Sequence, residues 1–347
     1  MTVRAWCAVS ARAILTLLLA LGALWGCHAA DCHAQGAPLL AESYFMSDNG
    51  TLPPLDSRIR PAPEFILRYL AAEHEQGNLP TIPGPAPADP VFEKAFASIL
   101  SDLSEPLRDL LRERLTGIFL VDDLGCSGYS EEFLGDDGQR LGFIVLSAGA
   151  LSDKPANEWI SWKENSTFQR DADIRLTMAI EEPENDTIDN AVRFIMLHEL
   201  GHVLGYVGEA HPAFMDITSE PWEDYPFLGL SWEMDNGRVR SRFDNFFPER
   251  TQLSFYHIGE ETLTISRAPD IYETLRRTNF ASLYGAMCIH EDFAESFATY
   301  THVVRGKRPW RIVLAGPEGE RAIVRSCWEE SRCAGKKAFF DSFFAGP

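Results

Sequence analysis

Two imidazoles and a carboxylate crowd little more than one helical turn in Leu197-His198-Glu199-Leu200-Gly201-His202-Val203-Leu204-Gly205. His198 and His202 stand four residues apart, so on an α-helix their side chains share a face and converge on a single ion. Glu199 then lies beside that ion without ligating it. Neutral imidazoles at this spacing suit Zn²⁺, and the adjacent carboxylate suits a general base acting on a metal-activated water. The plainer alternative is a pair of satisfied core histidines, which a chain with nine histidines can also supply.

The element that must carry these residues is legible around them. Upstream, Ile188, Val192, Ile195 and Met196 recur at helical intervals. Glu184-Asn185-Asp186-Thr187 offers an N-cap, with acidic residues at the positive end of the helix dipole. Gly205 weakens the helix just beyond the second histidine.

A zinc site of this kind needs a third protein ligand and an open fourth position. The metzincin pattern asks for a histidine six residues after His202, where this chain has Gly208, and the nearest downstream histidine is His211. The other candidate lies in Ala281-Ser282-Leu283-Tyr284-Gly285 followed by His290-Glu291-Asp292-Phe293-Ala294-Glu295-Ser296-Phe297-Ala298. There a second helix carries Glu291 and Glu295 on one face.

In these two helices the chain resembles the gluzincin metallopeptidases, most closely the catalytic domain of anthrax lethal factor. That family pairs its zinc helix with a second helix of the form E-x-F-A-E-x-F and places Tyr-Gly shortly before the ligand glutamate. The spacing of Tyr284 and Glu291 is the same. The resemblance implies that Glu291 completes a His₂Glu site and that Tyr284 donates a hydrogen bond to the developing oxyanion. Glu295 would orient a ligating histidine through its free ring nitrogen. It covers only about thirty residues, and the long separation of Glu291 from His202 implies an insertion.

Composition sets bounds on the rest. A chain of 347 residues with 45% hydrophobic and 11% aromatic residues has the material for a sizeable core. Its formal charge of −20 argues against nucleic acid and anionic membrane surfaces as partners, since their phosphates would be repelled.

Arg4 and Arg12 followed by an apolar run from Ala13 to Trp25 have the layout of a secretory signal, and the run is too short to span a bilayer. Leu24-Trp25-Gly26-Cys27 looks like a bacterial lipobox whose Cys27 would be acylated, with cleavage after Ala29 or Ala34 as the alternative. The expected location is therefore periplasmic or membrane-anchored. Once the signal is gone, six cysteines remain, and Cys327 with Cys333 is the pair expected in an oxidising compartment because it closes a short loop. Spacing gives no support to pairing Cys126 with Cys288, and no C-x-x-C metal signature is present.

From Gly36 to about Asp89 the chain is proline-rich and reads as a spacer or surface strap interrupted by one short helix near Glu64 to Glu75. A helix beginning at Asp89-Pro90 carries the stripe Phe92, Ala95, Phe96, Ile99, Leu100 and Leu103. A second, from Ser104, buries Leu107, Leu110, Leu111 and Leu115. Three strands are expected, Gly117 to Val121, Leu141 to Leu146 and Ile174 to Ile180. The third is the last before the zinc helix, where an exposed edge would pair with an extended peptide; an ordinary sheet strand with one wet face is the alternative. Trp222, Tyr225, Phe227, Trp232, Phe243, Phe246, Phe247 and Tyr256 form an aromatic-rich region that either lines a cleft or builds a satellite core.

The expected architecture is α+β, a zincin-like metallopeptidase core with an active-site helix, a second ligand-bearing helix and a small sheet. Residues 1–27 are the signal, 28–89 the spacer and 90–347 the catalytic domain, with the aromatic insertion at about 212–279. The expected activity is zinc-dependent hydrolysis of a peptide or protein substrate, with Glu199 as general base. The alternatives are a zinc-binding protein that has lost turnover and a zinc hydrolase of non-peptide amides.

Overall fold

The computed structural model describes residues 40–346 except 49, 76–78, 80, 214–221 and 257–262. The signal segment, Cys27 and Cys32 lie outside the described residues. The fold is mixed α and β.

Its main sheet follows from two apolar runs. Strands β3 (Leu115–Asp122) and β5 (Arg140–Ser147) are hydrophobic on both faces, as expected of strands covered on both sides. Ile118, Leu120, Ile144 and Leu146 face one core, and Phe119, Val121, Phe143 and Val145 the other. Strands β1 (Ile59–Pro61) and β5 flank β3 in parallel, β2 (Gly84–Pro85) pairs with the end of β3, and β4 (Gly128–Leu134) lies antiparallel on β5 as an edge strand.

The proline-rich stretch is part of this architecture. It supplies β1, β2 and helix α1 (Glu64–Glu75), whose Ile66, Tyr69 and Leu70 cover the second face of the sheet. Against the first face packs α5 (Ile188–Val207), and beside it lie α2 (Pro90–Asp102), packed on α5, and α3 (Glu105–Arg114). Asp89 caps α2 by accepting from Val91 N at 2.9 Å.

A second, three-stranded antiparallel sheet has the order β12 (Gly319–Arg325), β11 (Arg311–Gly316), β7 (Arg175–Ala179). Short pairings join β6 (Phe168–Gln169) to β10 (Leu263–Thr264) and β8 (Trp232–Asp235) to β9 (Arg238–Ser241). Strand β7 alternates as expected, with Leu176 and Met178 buried and Arg175 and Thr177 exposed. Its outer edge is not open to a peptide, because α4 (Ala156–Asn165) lies along it and satisfies its backbone from three positions one turn apart. Asn157 Oδ1 accepts from Ile180 N at 2.8 Å, Ser161 Oγ accepts from Met178 N at 2.8 Å, and Asn165 Nδ2 donates to Leu176 O at 2.9 Å. The ordinary-strand alternative holds for β7. The edge strand beside α5 is β4, which the sequence pattern does not announce.

The remaining helices of eight residues or more are α6 (Ala268–Leu275), α7 (Ile289–Thr299), which continues as a π-helical turn over Tyr300–Arg305, and α8 (Ala334–Phe343). Tyr225, Phe227, Trp232, Phe247 and Phe255 join the main core rather than a satellite. Cys327 and Cys333 are joined as expected, while Cys126 and Cys288 are not in disulfides. No helix among the described residues is long and apolar enough to cross a membrane.

Candidate metal centre

Helix α5 runs without a break through both histidines. Thr187 caps it by accepting from Asn190 N at 3.3 Å, and Gly205 does not end it: the helix continues to Val207 and stops at Gly208. Gly205 serves packing instead, since a Cβ there would fall 2.4 Å from His211 Nε2. Gly201 has the same role toward α7. A Cβ on Gly201 would lie 2.8 Å from Ala294 Cα, so its absence lets the helix bearing the histidines meet the helix bearing Glu291 backbone to backbone.

That close crossing assembles three donors. His198 Nε2 lies 3.1 Å from His202 Nε2 and 3.2 Å from Glu291 Oε2, and His202 Nε2 lies 3.8 Å from the same oxygen. Zinc bonds of about 2.0–2.1 Å in a tetrahedron place donors roughly 3.3–3.4 Å apart, so this triangle has the size that zinc requires. Among the described residues this is the group of His, Cys, Asp and Glu whose ligand atoms converge in this way.

Electrostatics make the same demand. Without a cation, burial disfavours charge on His198, yet Glu291, Glu295 and Glu199 outweigh it and push the imidazole up to about 10. Lys163 balances one of these three carboxylates, and a cation within the donor triangle would balance the charge that remains. The residues present therefore fit zinc.

Around the triangle, Glu295 Oε1 lies 3.2 Å from His198 Nδ1, which turns Nε2 of that ring toward the centre. Glu295 is itself held by Ser282 Oγ, donating at 2.6 Å, and by Lys163 Nζ at 2.9 Å. Burial works to raise the Glu295 carboxyl, but Lys163, His198 and Ser282 keep it well below the usual carboxylate range. Lys163 also sits over the Tyr284 ring at 3.8 Å from its centroid, and that ring lies 5.5 Å from the His198 ring.

Glu199 reaches past the triangle toward β4, where Gly128 leaves it room: a Cβ on Gly128 would be 3.2 Å from Glu199 Oε1. Without a cation, burial, aided by Glu291 and opposed by His198 and Ser130, raises its carboxyl to about 7. Glu199, Tyr284 and the triangle all line one small cavity of about 30 Å³. An outer cavity of about 610 Å³ adjoins it, and the two share Cys126, Ser127, Trp159 and Tyr256.

His211, the competing third ligand, is elsewhere. Its ring packs edge-on against His290 at 4.8 Å, its Nδ1 is 2.8 Å from Pro212 O, and burial lowers it to about 4. The site residues expected from sequence, His198, Glu199, His202, Tyr284, Glu291 and Glu295, are brought together. Lys163 was not foreseen, because a lysine inside an ordinary helix carries no spacing signal; Tyr256, expected only as one of several aromatic residues lining a cleft or filling a core, lines both cavities.

No protein-family model, curated protein or solved structure matches this chain.

Proposed function

We propose that this chain is an exported zinc metallopeptidase with a zincin-like core, in keeping with its resemblance to the gluzincins. The observation that carries the reading is the donor triangle of His198, His202 and Glu291, closed in by carboxylates and opening on a cavity that also holds a base. A bound zinc ion would supply Lewis acidity toward a carbonyl and lower the pKa of water.

The chain's own residues supply the rest. Glu199, facing the cavity beside the donor triangle, takes a proton from the attacking water and hands it to the departing amine. The Tyr284 hydroxyl donates to the oxygen on which negative charge develops. Glu295, fixed by Lys163 and Ser282, keeps His198 in the tautomer that presents Nε2. Strand β4, paired on one side to β5 and bordering the cavity through Gly128 and Ser130, is where an extended peptide would add as a further strand.

Export, with acylation of Cys27, rests on the N-terminal sequence, and the Cys327–Cys333 disulfide fits an oxidising compartment. The partner is a peptide or protein.

The test is zinc stoichiometry together with cleavage of an unfolded protein such as casein, on wild type and Glu199→Gln. The reading requires about one zinc in each and hydrolysis in wild type alone. Zinc without hydrolysis of any peptide would leave a binding protein on this scaffold, and cleavage of peptidoglycan amides alone would move the substrate class.

A further inference from the structure

Tyr256 has an unusual backbone. Its φ is 60°, in the left-handed region that glycine and asparagine occupy easily and a bulky aromatic residue does not. The chain leading into it is pinned at three successive residues. Tyr256 N donates to Ser166 Oγ at 2.7 Å, Ser254 N donates to Thr167 Oγ1 at 3.3 Å, and the intervening Phe255 is buried edge-on against Tyr284 at 5.0 Å.

The side chain that this backbone presents is half-buried, at the junction of the small inner cavity and the larger outer one. Its ring stands perpendicular to Tyr284 at 6.0 Å and rests against Trp162 at 5.8 Å. Burial first, then Glu295, Glu291 and Glu199, hold its hydroxyl well above the usual phenol range, so it remains a donor throughout the range in which a hydrolase works. A core-filling role would need neither the hydroxyl nor the strained backbone, and strain of this kind collects where a side chain must be aimed.

We propose that Tyr256 is a catalytic residue, a second phenolic donor that meets the substrate carbonyl from the outer side of the cavity while Tyr284 meets it from the inner side. The inference rests on the hydrolase reading above. Two donors on one developing oxyanion divide its charge, and losing either leaves the other in place.

The experiment compares zinc-loaded wild type, Tyr256→Phe, Tyr284→Phe and the double variant, with Glu199→Gln as the blank. Phenylalanine keeps each ring and its packing and removes only the hydroxyl. For Tyr256→Phe the expected result is a fall in kcat on the order of 10²-fold with KM nearly unchanged, as for loss of one oxyanion donor. Zinc content should stay at the wild-type level. Binding of a phosphinic peptide, whose tetrahedral oxygens mimic the oxyanion, should weaken at least about tenfold by calorimetry. An unchanged kcat with unchanged phosphinate affinity would overturn the proposal, and so would a loss confined to KM. If wild type hydrolyses no peptide, the functional reading fails and the calorimetric comparison alone decides Tyr256. A wild type that binds no phosphinate either removes both.

Discussion

Lys163 Nζ lies 3.8 Å from the centroid of the Tyr284 ring while it pairs with Glu295 Oε1 at 2.9 Å. One buried ammonium thus touches both the carboxylate that orients His198 and the phenol assigned to the oxyanion. Its charge balances Glu295 and its position limits where the Tyr284 ring can tilt.

Removing Lys163 should therefore damage more than its own contacts. In the zinc-free protein, Lys163→Met should lower unfolding free energy by about 3–5 kcal/mol, the usual cost of stranding one partner of a buried pair. Adding Glu295→Gln to the variant should restore part of that loss. Urea unfolding of the four proteins checks it, and additive losses would mean that the two residues are not coupled.

Zinc affinity should rank the residues around the triangle. Glu295→Ala should weaken binding by roughly 10- to 100-fold, as for the partner of a ligating histidine, and Glu291→Ala by more. His211→Ala should leave zinc stoichiometry intact. Metal content after dialysis decides between the two third ligands, and full occupancy in Glu291→Ala would defeat the assignment.

Acid should destabilise the fold through His302. Its Nε2 lies 2.7 Å from Ile180 O, its Nδ1 lies 3.3 Å from Arg193, and burial followed by the Arg193 charge lowers the imidazole to about 3 from a model-peptide value of 6.5. The folded state then binds fewer protons than the unfolded one between these values. This contribution is present above pH 6.5 and is lost as pH falls toward 3, at about 1.4 kcal/mol per pH unit. His302→Gln should flatten that limb of the urea midpoint against pH, and an unchanged slope would exonerate His302.

Reduction should loosen the C-terminal helix. Cys333 directly precedes α8, and Lys336 within α8 pairs with Asp292 next to Glu291 of the donor triangle. Closing so short a loop contributes roughly 2 kcal/mol in the chain-entropy picture. Dithiothreitol should lower both the melting temperature and zinc retention, and mass spectrometry without reductant should find Cys327 and Cys333 joined.

What the sequence disclosed was whatever is periodic or locally spaced. Helix α5 with its two histidines, the stripes of α2 and α3, and the helix at Glu64–Glu75 are all set by contacts within a few residues. Strand β4 escaped because Gly128-Tyr129-Ser130-Glu131-Glu132 is polar and its partner β5 alone makes it a strand. The place of the proline-rich stretch was hidden for the same reason: Ile59 and Arg60 become sheet only by pairing with Ile118 and Phe119, far along the chain. Lys163 is more than a hundred residues from Glu295, so no local pattern could announce their pairing.

The ladder of Asn157, Ser161 and Asn165 along β7 bears on how this protein behaves among its own copies. An open strand edge is a template on which identical chains stack. Here the edge of β7 is closed by a helix of the same chain, through amides and a hydroxyl rather than through charge. The device needs no salt and no partner, and it keeps one flank of the second sheet from serving as a seed for polymerisation.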